Sequence, residues 1–264
     1  MDKTFVAVSD TPLSRALLRA EKLEAPIETS GPLVASALAE FPAHPWLLHN
    51  SVWDWSLAHP QALGQKDVLA VTRRALEQTR APWLSVHLGY SAAHVTFQNG
   101  FQAASPTLER SQTVSSIIAN VSALKAELDV PLLLENADYN PSGAYEYICE
   151  PEVIRAVLEA TDTYFLLDLS HAQVSASRLG IALDDYLAGL PLNRVRQLHV
   201  NGPRPVEPTS DTLEDVHETM RETDYVLLDE ILGRTRPWAV TLEYGRDADA
   251  LLTQVDRLQT MLGS

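Results

Sequence analysis

The chain has 264 residues, 45% of them hydrophobic, with Asp+Glu 35 against Lys+Arg 20 and a formal net charge of -15. That balance repels nucleic-acid phosphates and no basic cluster offsets it, so no nucleic-acid partner is expected. A single cysteine, Cys149, excludes an intrachain disulfide and any multi-cysteine metal site.

In chain order, eight short apolar runs read as strands: 5–9, 26–30, 46–50, 83–89, 131–136, 164–170, 196–201 and 238–244. Between them lie segments whose apolar residues recur with a period near 3.6, at 14–23, 63–79, 107–128, 151–161, 183–190, 225–232 and 248–262. Pro151 stands at a first-turn position, a normal helix start. Strands alternating with helices predict right-handed βα units. Eight such units close into a (β/α)₈ TIM barrel, an α/β fold that commonly takes about 250 residues, here as one domain over 1–264. An open doubly wound sheet would want a glycine-rich phosphate turn after its first strand, and VSDTP is not one. The loop 200–212, with three prolines and a glycine, is long enough to work over the barrel mouth. No signal-peptide pattern opens the chain and no apolar run nears the roughly 18 residues of a membrane span, which predicts a soluble cytoplasmic protein with no membrane partner.

The strands end on polar residues. His49, His87, Glu135, Asp168, His199 and Glu243 stand at or just past these ends, His171 follows Asp168 by three positions, and Asp215 and His217 form an Asp-x-His pair in the seventh connection. In a parallel barrel all strands end at one face, so residues distant in sequence converge in one bowl. Imidazole and carboxylate without thiolate suit iron, manganese or zinc. Nine candidates exceed the four to six ligands one ion takes, and suit two or three ions sharing a carboxylate. Each residue alone has an ordinary reading: Asp168 as a helix cap, Glu135 capping the next segment, Asp215 and His217 on a solvated helix start. Together they are costly to bury without a cation.

This set, with the strings LLLEN, LLDLSHA, QLHVNG and TLEYGRD, resembles the trinuclear site of xylose-isomerase-like barrels and, within them, the multinuclear non-haem iron-dependent oxidases of the MbnB/TglH-like family. The resemblance implies that His49, His87 and Glu135 hold one ion. It implies that a bridging Glu135 holds a second with Asp168, His199 and Glu243, and that His171, Asp215 and His217 hold a third. Glu135, Asp168, His199 and Glu243 would be the catalytic group. The cofactor implied is two to three irons of mixed Fe(II)/Fe(III) character, with zinc or manganese as alternatives. O₂ would oxidise a cysteine, or in some members an aspartate or asparagine, of a ribosomally synthesised precursor peptide, and the resemblance implies a separate recognition protein as a further partner that delivers it. Asn50, Tyr90, Asn136, Asn201 and Arg246 are candidates for substrate binding, with Tyr139 and Arg204 also close in sequence. The same ligands admit a trinuclear-zinc phosphodiesterase of the endonuclease-four type or a single-metal sugar isomerase or epimerase; a non-catalytic scaffold is the remaining alternative.

Overall fold

The computed structural model describes residues 3–53, 55–97 and 100–263. Its elements run β1 (Phe5–Ser9), α1 (Pro12–Arg19), β2 (Ile27–Ser30), α2 (Val34–Glu40), β3 (Trp46–His49), α3 (Val68–Thr79) and β4 (Leu84–His87). A hairpin of β5 (Val95–Phe97) and β6 (Phe101–Ala103) precedes α4 (Arg110–Ala126), β7 (Leu132–Glu135), α5 (Pro151–Thr161) and β8 (Tyr164–Asp168). Then come α6 (Leu169–Leu179), α7 (Leu183–Gly189), β9 (Val195–Val200), β10 (Gly202–Pro205), β11 (Leu213–Glu218), α8 (Glu222–Arg234), β12 (Ala239–Leu242) and α9 (Ala248–Leu262). Strands β1, β2, β3, β4, β7, β8, β9 and β12 pair in parallel in that order and close into a barrel. The predicted eight-stranded barrel is therefore the observed one.

Side chains alternate along a strand, so every second residue faces the barrel interior. Ala7, Leu47, Trp83, Leu133, Leu166 and Ala239 form one apolar cluster, packed by Phe5 and Trp238. Trp83 and Trp238 meet at 5.2 Å between ring centroids. Stepping two residues up from this layer reaches His49, Ser85, Glu135, Asp168 and Thr241. Register keeps these ends level: His87 pairs with Glu135, and Asp168 with His199. The faces turned outward pack on the helices as the larger core.

The structure departs from the sequence reading at identifiable places. The run 164–170 is not all strand, because β8 stops at Asp168, whose side chain accepts the backbone N–H of His171 and starts α6. The loop expected at 200–212 opens as β10, which pairs antiparallel with β11 in a bulged hairpin. Asp215 and His217 therefore sit on a strand, not at a helix start. The hairpin β5–β6 and helix α2 were not anticipated. No helix of the described residues is long and apolar enough to cross a membrane.

Candidate metal centre

Six of the nine predicted ligands sit at barrel strand ends. The other three arrive by two local devices. The cap on Asp168, 2.7 Å from Oδ1 to the His171 N–H, turns the chain so that His171 points back over the bowl. The β10–β11 hairpin carries Asp215 and His217 over the mouth, and its register shift and the left-handed backbone of His217 (φ 48°) re-aim the imidazole. All nine side chains come together, and all but Asp168 line a cavity of about 800 Å³.

Carboxylates alternate with imidazoles around this bowl. Glu135 Oε2 lies 3.0 Å from His49 Nε2 and 3.3 Å from His87 Nε2, while its Oε1 lies 3.3 Å from His199 Nδ1. Glu243 follows, with Oε1 3.4 Å from His199 Nδ1 and Oε2 3.3 Å from His217 Nε2. Asp215 Oδ2 is 3.5 Å from both His217 Nε2 and His171 Nε2, and Asp168 Oδ2 is 3.6 Å from His171 Nε2. Ligand atoms sharing a tetrahedral ion with bonds near 2.1 Å stand about 3.4 Å apart, so these spacings suit shared coordination as well as direct ion pairing. Donor atoms of His49, His87 and Glu135 all lie within 4.8 Å of one another, as do those of Glu135, Asp168 and His199. Glu135 belongs to both groups, as a bridge must.

The set fits a cation on a second ground. Glu135 Oε2, Asp168 Oδ2 and His199 Nδ1 are buried without a hydrogen bond. Buried polar atoms are almost always paired, and three such atoms facing one space mark a ligand site. Burial pushes the Asp168 carboxyl well above the usual range, reinforced by Glu243 and Asp215 although His171 opposes it. Burial would raise Glu135 too, but His49 and His199 hold it well below. Against burial, neighbouring carboxylates hold His171 and His199 well above an ordinary imidazole and lift His217 to about 9. Glu135 and these imidazoles thus favour one another's charged forms, while burial favours the neutral acid at Asp168.

Four of the five imidazoles are aimed by their other nitrogen. His49 Nδ1 lies 2.9 Å from Ser85 Oγ, His87 Nδ1 3.1 Å from the Tyr90 hydroxyl, and His171 Nδ1 2.8 Å from the Asn136 carbonyl. His199 turns the opposite way: its Nε2 lies 2.8 Å from Glu28 Oε2, which frees Nδ1 for the bowl. Outer partners of this kind fix the tautomer and raise ligand basicity. Glu28 also accepts two bonds from the Gln197 amide, at 2.9 Å each, and Gln197 accepts from Trp83 Nε1 at 2.7 Å. Sequence reasoning missed Glu28. Its signal was an acid inside a strand too buried to hold one unpaired.

The residues expected to meet substrate divide. Asn50 and Tyr90 line the cavity. Asn50 adopts a left-handed backbone (φ 45°), its amide oxygen accepts the His87 N–H and its amide nitrogen lies 2.6 Å from His49 Nε2. Gly31 is required beneath it, since a Cβ there would stand 2.0 Å from the Ser51 carbonyl oxygen. Three others are turned to support. Asn136 accepts the Asp168 N–H at 2.9 Å and donates to the Asp168 carbonyl at 3.0 Å. Asn201 accepts from Ser170 Oγ, which also bonds Asp215. Arg246 donates to the Val216 carbonyl and pairs with Glu218 at 2.9 Å, holding the β10–β11 hairpin instead of facing the cavity. Arg204 likewise donates to the Thr219 carbonyl, and the backbone N–H of Tyr139 bonds Ser175.

Comparison with known proteins identifies the fold and the family. A protein from Caulobacter vibrioides (strain NA1000 / CB15N), described as UPF0276 protein, is 28% identical over 180 residues, covering 66% of this chain and 61% of the relative. One of the same description from Paraburkholderia phytofirmans is 34% identical over 162 residues, covering 61% and 50%. The chain thus spans less than two thirds of these relatives' lengths. Solved structures with the same barrel include the 3-keto-D-glucoside 4-epimerase YcjR from E. coli, at a TM-score of 0.61 and 13% identity over 99% of this chain and 100% of that one. An AP endonuclease, family 2, from Brucella melitensis gives a TM-score of 0.57 and 15% identity over 94% and 96%. At such identities these neighbours establish the xylose-isomerase-like (β/α)₈ fold alone. The family described as RiPP precursor modification enzyme MbnB/TglH/ChrH matches residues 34–262. With that match over most of its length, the chain belongs to the MbnB/TglH/ChrH family.

Proposed function

We propose that the chain is a multinuclear non-haem iron oxidase that uses O₂ to modify a cysteine of a ribosomally synthesised precursor peptide. The observation that carries the reading is the Glu135 bridge, with one carboxylate oxygen facing His49 and His87 and the other facing His199. His49, His87 and Glu135 would hold one iron; Glu135, Asp168, His199 and Glu243 a second; His171, Asp215 and His217 a third. Iron held there supplies one-electron redox chemistry toward O₂ and a Lewis-acid position for a substrate thiolate.

The chain's own residues do the rest. Ser85, Tyr90, Asn136 and Glu28 fix the four imidazoles they touch, so the donor set is preorganised. The apolar layer around Trp83 closes the barrel below the site, and the β10–β11 hairpin carries Asp215 and His217 above it. A recognition protein that presents the peptide is compatible with the wide cavity. The test is O₂ consumption by iron-loaded protein with a cysteine-containing precursor peptide. The double variant His199→Ala, Glu243→Ala is expected to lose it entirely; retained turnover would sink the assignment. Tight zinc with cleavage of an abasic duplex would support the phosphodiesterase instead, against the charge of -15.

A further inference from the structure

Large apolar side chains exposed on this surface are mostly scattered, as on any protein. Three are not. Leu33, Trp53 and Phe97 are 37%, 42% and 55% exposed, and all three line the metal-centre cavity. They come from three successive connections, after β2, β3 and β4 respectively. Nothing in packing the barrel requires three neighbouring connections each to send an apolar side chain to the same wall.

This wall is ordered and leads inward. The Trp53 indole N–H donates to Ser30 Oγ at 3.2 Å, and its ring meets Phe97 edge-on at 5.9 Å between centroids. Phe97 packs on Phe101 at 5.2 Å, and Phe101 stands 6.1 Å from the His87 ring. Phe101 is buried, whereas Phe97 and Trp53 keep open faces. A continuous aromatic path therefore runs from the rim to an imidazole of the metal centre. Charged side chains, among them Arg178, Glu214 and Asp138, line the same cavity. A ligand filling the cavity meets both apolar and charged groups, which fixes its orientation.

We propose that Trp53, Phe97 and Leu33 form a subsite for an apolar, preferentially aromatic, side chain of the substrate peptide, beside the residue that is modified. The proposal rests on the peptide-oxidase reading and adds to it a sequence preference. Aromatic faces in offset or edge-on contact select another ring over an aliphatic chain of equal size. The charged side chains accept the peptide's main chain and any basic neighbour.

The experiment is calorimetric binding of two capped tripeptides, acetyl-Phe-Cys-Phe-amide and acetyl-Ala-Cys-Ala-amide, to the iron-loaded protein. The aromatic peptide is expected to bind at least about tenfold more tightly. Phe97→Ala and Trp53→Ala should each bring the ratio close to one while metal content and melting temperature stay unchanged, and Phe97→Leu should retain part of it. Equal binding of the two peptides by the wild type, or a ratio untouched by both alanine variants, would overturn the subsite. Discrimination that persists while a cysteine-containing precursor peptide undergoes no O₂-dependent change would overturn the oxidase reading and leave the subsite standing.

Discussion

Glu28 Oε2 lies 2.8 Å from His199 Nε2 inside the barrel, joining two residues 171 apart in sequence, and both side chains are almost wholly buried. The bond decides which imidazole nitrogen faces Glu135 and Glu243. Glu28→Gln keeps the volume and removes the charge that orients the ring. Loss of such an outer carboxylate costs about 10–100-fold in metal affinity. Competition with a chelator should show that loss at one ion of the centre, with the ion held by His49 and His87 retained. Unchanged affinity at every ion would refute the positioning role.

Glu135 serves two donor groups and His87 one. His87→Ala should therefore lower the metal content by one ion per chain, and Glu135→Ala by at least two. Elemental analysis of the two purified variants checks this. Equal losses would mean that Glu135 does not bridge.

Without metal, the contribution of the site's imidazoles to stability should be greatest near pH 6.5, the ordinary imidazole value. The folded state raises His217 to about 9 and also raises His171 and His199, so their stabilisation is complete below 6.5 and is lost as pH climbs through the raised values. Burial lowers His87 to about 4, so on the acid side its contribution is lost as pH falls from 6.5 toward 4. Metal replaces the protons on the raised imidazoles, so its stabilising effect should grow from neutral to alkaline pH. Melting curves of chelator-treated and loaded protein across this range test both statements. A metal-induced shift that shrinks as pH rises contradicts them.

Asn136 gives both ends of its amide to the Asp168 backbone. Asn136→Ala leaves buried backbone groups unpaired, at a cost of about 1–3 kcal/mol each, and frees the strand end that carries a ligand. Denaturant unfolding should show that loss together with weaker metal binding. A variant as stable as the parent would return Asn136 to the role of a substrate contact.

Much of this was legible in the sequence, for a physical reason. A strand buried on both faces reads as an apolar run, so His49, His87, Glu135, Asp168 and His199 stand out at the ends. Glu28 was hidden because it lies mid-strand in PIETS, where the sequence does not say which face looks inward. Asp215 and His217 were found as a pair, but a strand–turn–strand with prolines reads as a loop until its two arms are seen to pair. The roles of Asn136, Asn201 and Arg246 depend on hydrogen bonds to residues far along the chain, such as Asn136 to Asp168, and no local pattern encodes these. Trp53 and Phe97 carried no signal at all, since an exposed ring in a connection looks like any other.

The most direct test of the central claim is metal content with Mössbauer spectra on protein expressed in iron-supplemented medium. Two to three irons per chain with a coupled, mixed-valent signal are expected. A protein that takes up zinc tightly and no iron, or holds a single exchangeable manganese or magnesium, would contradict the oxidase and point to phosphodiester hydrolysis or sugar isomerisation respectively.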